Sequence, residues 1–130
     1  MSDATPAVPR VRALRGATTL DVDEREHLIA RTQEMMAQLL ERNGLVEDDV
    51  ISVLFTATGD VNSAFPAEAA RKAGMAHVPL ICARELEIHD VLGLERCIRV
   101  LVHAYTDRAP TQLRHVYLHR ARQLRTDLPE

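Results

Sequence analysis

HVPLICARELEIHDVLGLERCIRVLVHAY, residues 77–105, reads as a strand, an irregular loop and a second strand. Val78 to Cys82 is apolar and gives way to the charged Arg84, Glu85 and Glu87. Cys97 to Tyr105 is rich in β-branched and apolar residues, as a strand requires. Side chains alternate along a strand. Ile98, Val100, Val102 and Ala104 therefore share one face, and Cys97, Arg99, Leu101, His103 and Tyr105 share the other. Arg99 stands inside this apolar run. A guanidinium buried there needs an acidic partner or an acidic ligand, because leaving it unpaired is costly. A pair with Glu85 or Glu87 and an anchor for a ligand are both open on this stretch alone.

Upstream, Arg10 to Thr19 (RVRALRGATT) has the pattern of a first strand, with Val11, Ala13 and Arg15 on one face and Arg12, Leu14 and Gly16 on the other. Gly16 marks a bulge or a close backbone approach. Arg15 is a second strand arginine, and a strand-end charge reaching solvent accounts for it as simply as a ligand contact does. Asp21 and Glu24 have capping-box spacing with Asp21 as the cap. Leu28, Ile29, Thr32, Met35, Met36, Leu39 and Leu40 recur at helical spacing up to Asn43, and Gly44 is a natural stop. Val50 to Thr58 is nearly continuous apolar sequence, the pattern of a buried central strand. Pro66 opens a short helix that Gly74 closes. Phe65 is expected in the core and Arg71 in solvent. Asp107 to Thr111 turns the chain, and Arg114 to Leu118 is a short last strand. The coarse order is β-α-β-α-β-β-β.

At 130 residues and 14.5 kDa the chain is long enough for one domain with a real core. Met1 to Pro9 is expected to be a disordered tail, leaving a single domain over 10–130 with 119–130 as a mobile C-terminal segment. A net charge of -3 and a pI near 6.1 argue against nucleic acid and against a polybasic membrane surface. All sixteen basic residues except Lys72 are arginine, a supply of planar carboxylate binders. Cys82 and Cys97 have no CxxC spacing, and Met1 to Pro9 has no apolar run of the kind a secretory signal needs, so a reduced, cytoplasmic protein is expected. His115 and His119 are four apart and on a helix could share zinc; the segment reads as extended with no third ligand, so no metal is expected. No phosphate-binding glycine loop, nucleophile elbow or metalloprotease motif occurs. Arg15, Glu85, Arg99 and Tyr117, all near strand ends, suggest one anion-binding cleft. Residue patterns alone reach an α/β domain suited to a small carboxylate.

The segments LRGATT (14–19), VLFTATGDVNSAFPAEAAR (53–71), VPLICARE (78–85), CIRVLV (97–102) and RHVYL through LRTDL (114–128), in that order and spacing, resemble the monofunctional AroH-type chorismate mutases. The resemblance implies an α+β fold, a mixed sheet packed against helices that forms a pseudo-α/β barrel as a homotrimer with active sites at subunit interfaces. It implies the Claisen rearrangement of chorismate to prephenate, on the route to phenylalanine and tyrosine, with no cofactor. A concerted pericyclic step needs a reactive conformer and stabilised charge rather than a nucleophile. Arg99 resembles the arginine that hydrogen-bonds the ether oxygen of the breaking bond. Arg15 and Tyr117 resemble the groups on a substrate carboxylate, and Glu85 the acceptor of the ring hydroxyl. Cys82, with Leu80 and Ile81 beside it, matches the segment near the substrate ring. Phe65, Ala67 and Arg71 resemble the wall given by the neighbouring subunit, and Leu124 and Arg125 the C-terminal segment that closes over the site.

The chain departs from the family pattern at Glu68, where the pattern has lysine, and at Ile81, where it has threonine. The loop 86–93 is longer and the loop around Gly74 shorter by one. A negative Glu68 near the cleft mouth is expected to weaken binding of a dianionic substrate and to leave the chemical step intact. Two other functions fit the same features: a non-catalytic module for small carboxylates, and a Rid-type imine deaminase on a similar trimeric fold.

Overall fold

The computed structural model describes residues 8–89 and 93–125. The first seven residues of the expected tail, 90–92 of the longer loop and 126–130 of the expected C-terminal segment lie outside the described residues. Five strands form one mixed sheet: β1 (Arg10–Thr19), β2 (Val50–Ala57), β3 (Leu80–Arg84), β4 (Cys97–Thr106) and β5 (Val116–Tyr117). Their order is β3-β2-β4-β1-β5. β4 runs antiparallel to both β1 and β2, while β3 pairs with β2 and β5 with β1 in parallel.

One face of the sheet is closed. The long helix α1 (Arg25–Arg42) and the short helix α2 (Pro66–Ala70) cover it. The buried stripe of α1 is Leu28, Ile29, Thr32, Met35, Met36, Leu39 and Leu40, the set that the helical spacing picks out. It packs with Leu14, Val53, Phe55, Ile98, Val100 and Val102 in a single core. Asp21 does not cap this helix. The N-cap is Glu24, without a side-chain cap, and Asp21 instead accepts a hydrogen bond from Arg31 at 2.7 Å. Gly44 ends the helix in the left-handed region at φ 65°, where an L side chain is strained. α2 runs into a wider turn over Arg71–Met75, closed by Gly74 at φ 97°.

The other face is open except at one end, where Ala17 and Cys97 are buried with Ala121. Residues of β2 alternate: Val53, Phe55 and Ala57 are buried, whereas Ser52, Leu54 and Thr56 are half-buried. The apolar run of β2 is therefore covered on one side only within this chain. Ile81, Tyr105 and Val11 stand exposed on that open side. Phe65, expected in the core, is 69% exposed. It belongs to the loop before α2, where Pro66 takes the buried position instead.

Candidate active site

Register brings the strand arginines together. β4 lies between β1 and β2, so Arg99 has Ala17 on one side and Thr56 on the other, and Arg15 lies beside Leu101. Arg15, Thr56, Arg99, Tyr117, Leu124 and Arg125 line one cleft of about 310 Å³ on the open face, large enough for a small ligand. Arg99 is not buried, contrary to the premise of a guanidinium inside an apolar strand: its side chain is 48% exposed. Its Nε lies 3.7 Å from Glu85 Oε2, and the cleft is open to it. Glu85 follows β3 directly, and its Oε2 also accepts a hydrogen bond from the Thr56 hydroxyl.

Tyr117 is placed by a chain of backbone contacts. Asn43, buried at the C-terminal end of α1, donates to the Leu39 and Arg114 carbonyls at 2.7 and 2.8 Å, and its Oδ1 accepts from the Arg114 N–H at 2.8 Å. This clamp delivers the chain to β5, where Tyr117 pairs with Ala17. His115, two residues before Tyr117, accepts the backbone N–H of Arg15 at Nδ1, 3.0 Å away. Beyond β5 the chain winds through a short 3-10 helix, His119–Leu124. Its Ala121 is buried against Ala17 and Cys97, which sets Leu124 at the cleft. Asn43, Thr56 and His115 went unnoticed in the sequence as site-building residues, because each partner lies tens of residues away.

A second cleft sits at the β3 edge, below the start of α2, and shares no lining residue with the first. Phe65 and Cys82 line it with Arg25, Glu68 and Arg84. Arg84 anchors the adjoining loop by donating to the Thr58 and Val61 carbonyls and to Asn62 Oδ1, at 2.6, 2.8 and 2.9 Å. Asp23 accepts the Asn62 and Ser63 N–H groups from the other side, at 2.9 and 3.2 Å. Glu68 is not a free charge. It pairs with Arg25 and, at 3.1 Å, with Lys72, and the Arg25 and Lys72 hydrogen bonds pull its carboxyl down to about 2. Its negative charge stands between two cations. Among the other expected site residues, Ala67 is buried in the core, Leu80 packs against it, Ile81 is exposed beside Leu54, and Arg71 is exposed at the end of α2.

The arrangement offers cations and a phenol around an open cleft, with the Glu85 carboxylate beside Arg99, which suits recognition of an anionic ligand with a hydroxyl group. Cys97 is a poor nucleophile, since burial pushes its thiol up and keeps it protonated. Among the described residues no cluster of His, Cys, Asp or Glu could hold a metal ion, and no helix is long and apolar enough to cross a membrane.

The family model for chorismate mutase type I matches residues 11–128. The chain is 38% identical over 119 residues to chorismate mutase AroH of Bacillus subtilis (strain 168), covering 91% of this chain and 92% of that protein. It is 45% identical over 119 residues to chorismate mutase AroH of Thermus thermophilus, covering 91% and 96%. A solved chorismate mutase from Clostridium thermocellum superposes with a TM-score of 0.82 at 42% identity, over 86% of this chain and 98% of that one.

Proposed function

The chain belongs to the type I chorismate mutases, and from that premise we propose that it catalyses the rearrangement of chorismate to prephenate in the cleft that holds Arg99. In this reaction the ether C–O bond breaks as a new C–C bond forms, and no proton changes place. The protein's contribution is to hold the compact conformer and to favour the charge that develops on the ether oxygen.

The observation that carries the reading is the meeting of Arg15, Arg99 and Tyr117, drawn from three strands, in one cleft. Arg15 and Tyr117 hold a substrate carboxylate. Glu85 accepts the ring hydroxyl. Arg99 donates to the ether oxygen, whose negative charge is greatest in the transition state, so the contact lowers the barrier more than it stabilises bound substrate. Leu124 and Arg125 cover the cleft from the C-terminal side.

The active assembly in this reading is a homotrimer with sites between subunits. Two features support it. The open sheet face exposes Val11, Ile81 and Tyr105, which a neighbour would cover. Of the expected site residues, Arg15, Arg99, Tyr117, Leu124 and Arg125 line one cleft and Phe65 lines another that shares no residue with it, as they would if Arg99 came from one chain and the wall around Phe65 from the next. The free thiols of Cys82 and Cys97 suit a reducing, cytoplasmic compartment. The imine-deaminase alternative is not favoured, because the family model and the named relatives are all chorismate mutases.

The test is loss of chorismate absorbance in the ultraviolet, with prephenate identified by acid conversion to phenylpyruvate. Turnover without added metal or cofactor is expected, together with much tighter binding of a bicyclic diacid that mimics the transition state than of chorismate itself. A folded protein that binds chorismate and the diacid equally and turns neither over would instead be a carboxylate-binding module.

A further inference from the structure

Thr56 lies on the open face of β2, opposite Arg99 in the β2–β4 ladder, and lines the Arg99 cleft. Its hydroxyl donates to Glu85 Oε2, the same oxygen that lies 3.7 Å from Arg99 Nε. A hydroxyl, a carboxylate and a guanidinium thus stand in a row, supplied by β2, by the residue after β3 and by β4.

The spacing within that row carries information. An arginine and a carboxylate with nothing else to bond close to about 2.7–2.9 Å, often in a two-pronged contact. The Arg99–Glu85 distance is longer than a hydrogen bond. Glu85 accepts its hydrogen bond from Thr56 instead. A β-branched residue at this point suits the strand whether or not it carries a hydroxyl. Valine would serve strand pairing equally well, so the hydroxyl needs its own account.

Resting on the chorismate mutase reading above, we propose that Thr56 is a positioning residue. Its hydroxyl tethers Glu85, which then orients Arg99 without closing on it, and the guanidinium stays available to the ether oxygen. Among the described residues Glu85 Oε1 has no hydrogen-bond donor, so this oxygen remains available to the substrate hydroxyl. Without the tether the carboxylate moves onto the arginine as a tight pair. Substrate still binds through its carboxylates, but the group meant for the transition state is occupied by a competing anion.

Thr56→Val removes the hydroxyl and keeps the branched shape; Thr56→Ser keeps the hydroxyl and drops the methyl. With chorismate as substrate, Thr56→Val is expected to lower kcat by about 10- to 100-fold with KM changed by less than about threefold, and Thr56→Ser to recover most of the loss. Thermal unfolding of each variant is followed in parallel, and Thr56→Ala is taken through the same assay should the valine variant not fold. A purely structural role would shift the unfolding midpoint and leave kcat in place. Wild-type kcat in Thr56→Val overturns the proposal. So does a serine variant as impaired as the valine one, and so does a defect confined to KM, which would make Thr56 a substrate contact. A wild-type chain that fails to turn over chorismate would instead overturn the reading of the reaction itself, and this inference with it.

Discussion

His115 accepts the backbone N–H of Arg15 at Nδ1, and a ring nitrogen accepts only while it carries no proton. Burial, and then the charges of Arg15 and Arg125, hold its pKa below the usual histidine value. The folded chain therefore binds fewer protons here than the unfolded chain. The stabilisation is present above the unfolded histidine pKa of about 6.5 and is lost as pH falls through the lower folded value. His115→Asn places an amide oxygen where Nδ1 stood and does not titrate. Denaturant unfolding between about pH 7 and pH 5 should show the wild type losing stability more steeply than this variant; equal slopes would contradict the assignment. In the sequence His115 invites attention only as a zinc partner for His119, four residues on. Its acceptor role depends on a donor a hundred positions upstream, which no local pattern encodes. Glu68 makes the same point. Its charge is visible in the sequence, and so is the spacing to Lys72, but Arg25, 43 residues away, comes to it only through the packing of α1 on α2.

β1 shows what an element reveals in advance. Its bounds, Arg10–Thr19, follow from alternation, because one face must reach the core. The choice left open at Gly16, bulge or close approach, is decided by what lies across it. Gly16 pairs regularly with Val100 and with Val116, so there is no bulge there. A Cβ at this position would stand 3.0 Å from a Val100 methyl, 3.3 Å from the Val116 carbonyl oxygen and 3.5 Å from Met35 Cγ. Gly16→Ala is accordingly expected to destabilise by about 1–3 kcal/mol through overpacking between the sheet and α1. Thermal unfolding at fixed protein concentration would show a midpoint lower by a few degrees, and an unchanged midpoint would refute the crowding. The face of α1 was equally legible, since seven apolar or small positions at helical spacing have only one way to be buried. Its start was not. Asp21 and Glu24 have the spacing of a cap, but Asp21 is taken by Arg31, and the sequence gives no sign of that competition. β5 shrank to Val116–Tyr117 because Arg114 is already committed to Asn43.

A single chain closes one face of its sheet and leaves the other open, with arginines at its margin. The near-continuous apolar run of β2, read in sequence as a strand buried on both sides, describes the assembly better than the lone chain if three copies enclose those open faces. The cleft around Arg99 was legible because its residues fall at strand positions that alternation assigns. Residue patterns alone could not say that Phe65 and Arg99 line separate clefts; only the family resemblance, which gives Phe65 to a neighbouring subunit, anticipates that separation. The most direct test of a shared site is recovery of activity in mixed assemblies. Arg99→Lys keeps the charge but loses the planar fork, and alone should lose activity by about 10²-fold or more. Phe65→Asp alters an exposed side chain, so it leaves the fold in place and sets an anion against a dianionic substrate. Chorismate turnover is measured for each variant alone and for assemblies formed from equal amounts of the two. With Arg99 and Phe65 supplied by different chains, about one site in four pairs an intact Arg99 with an intact Phe65, and the mixture should regain about a quarter of the wild-type rate. A mixture no more active than its two components would contradict a site built between chains.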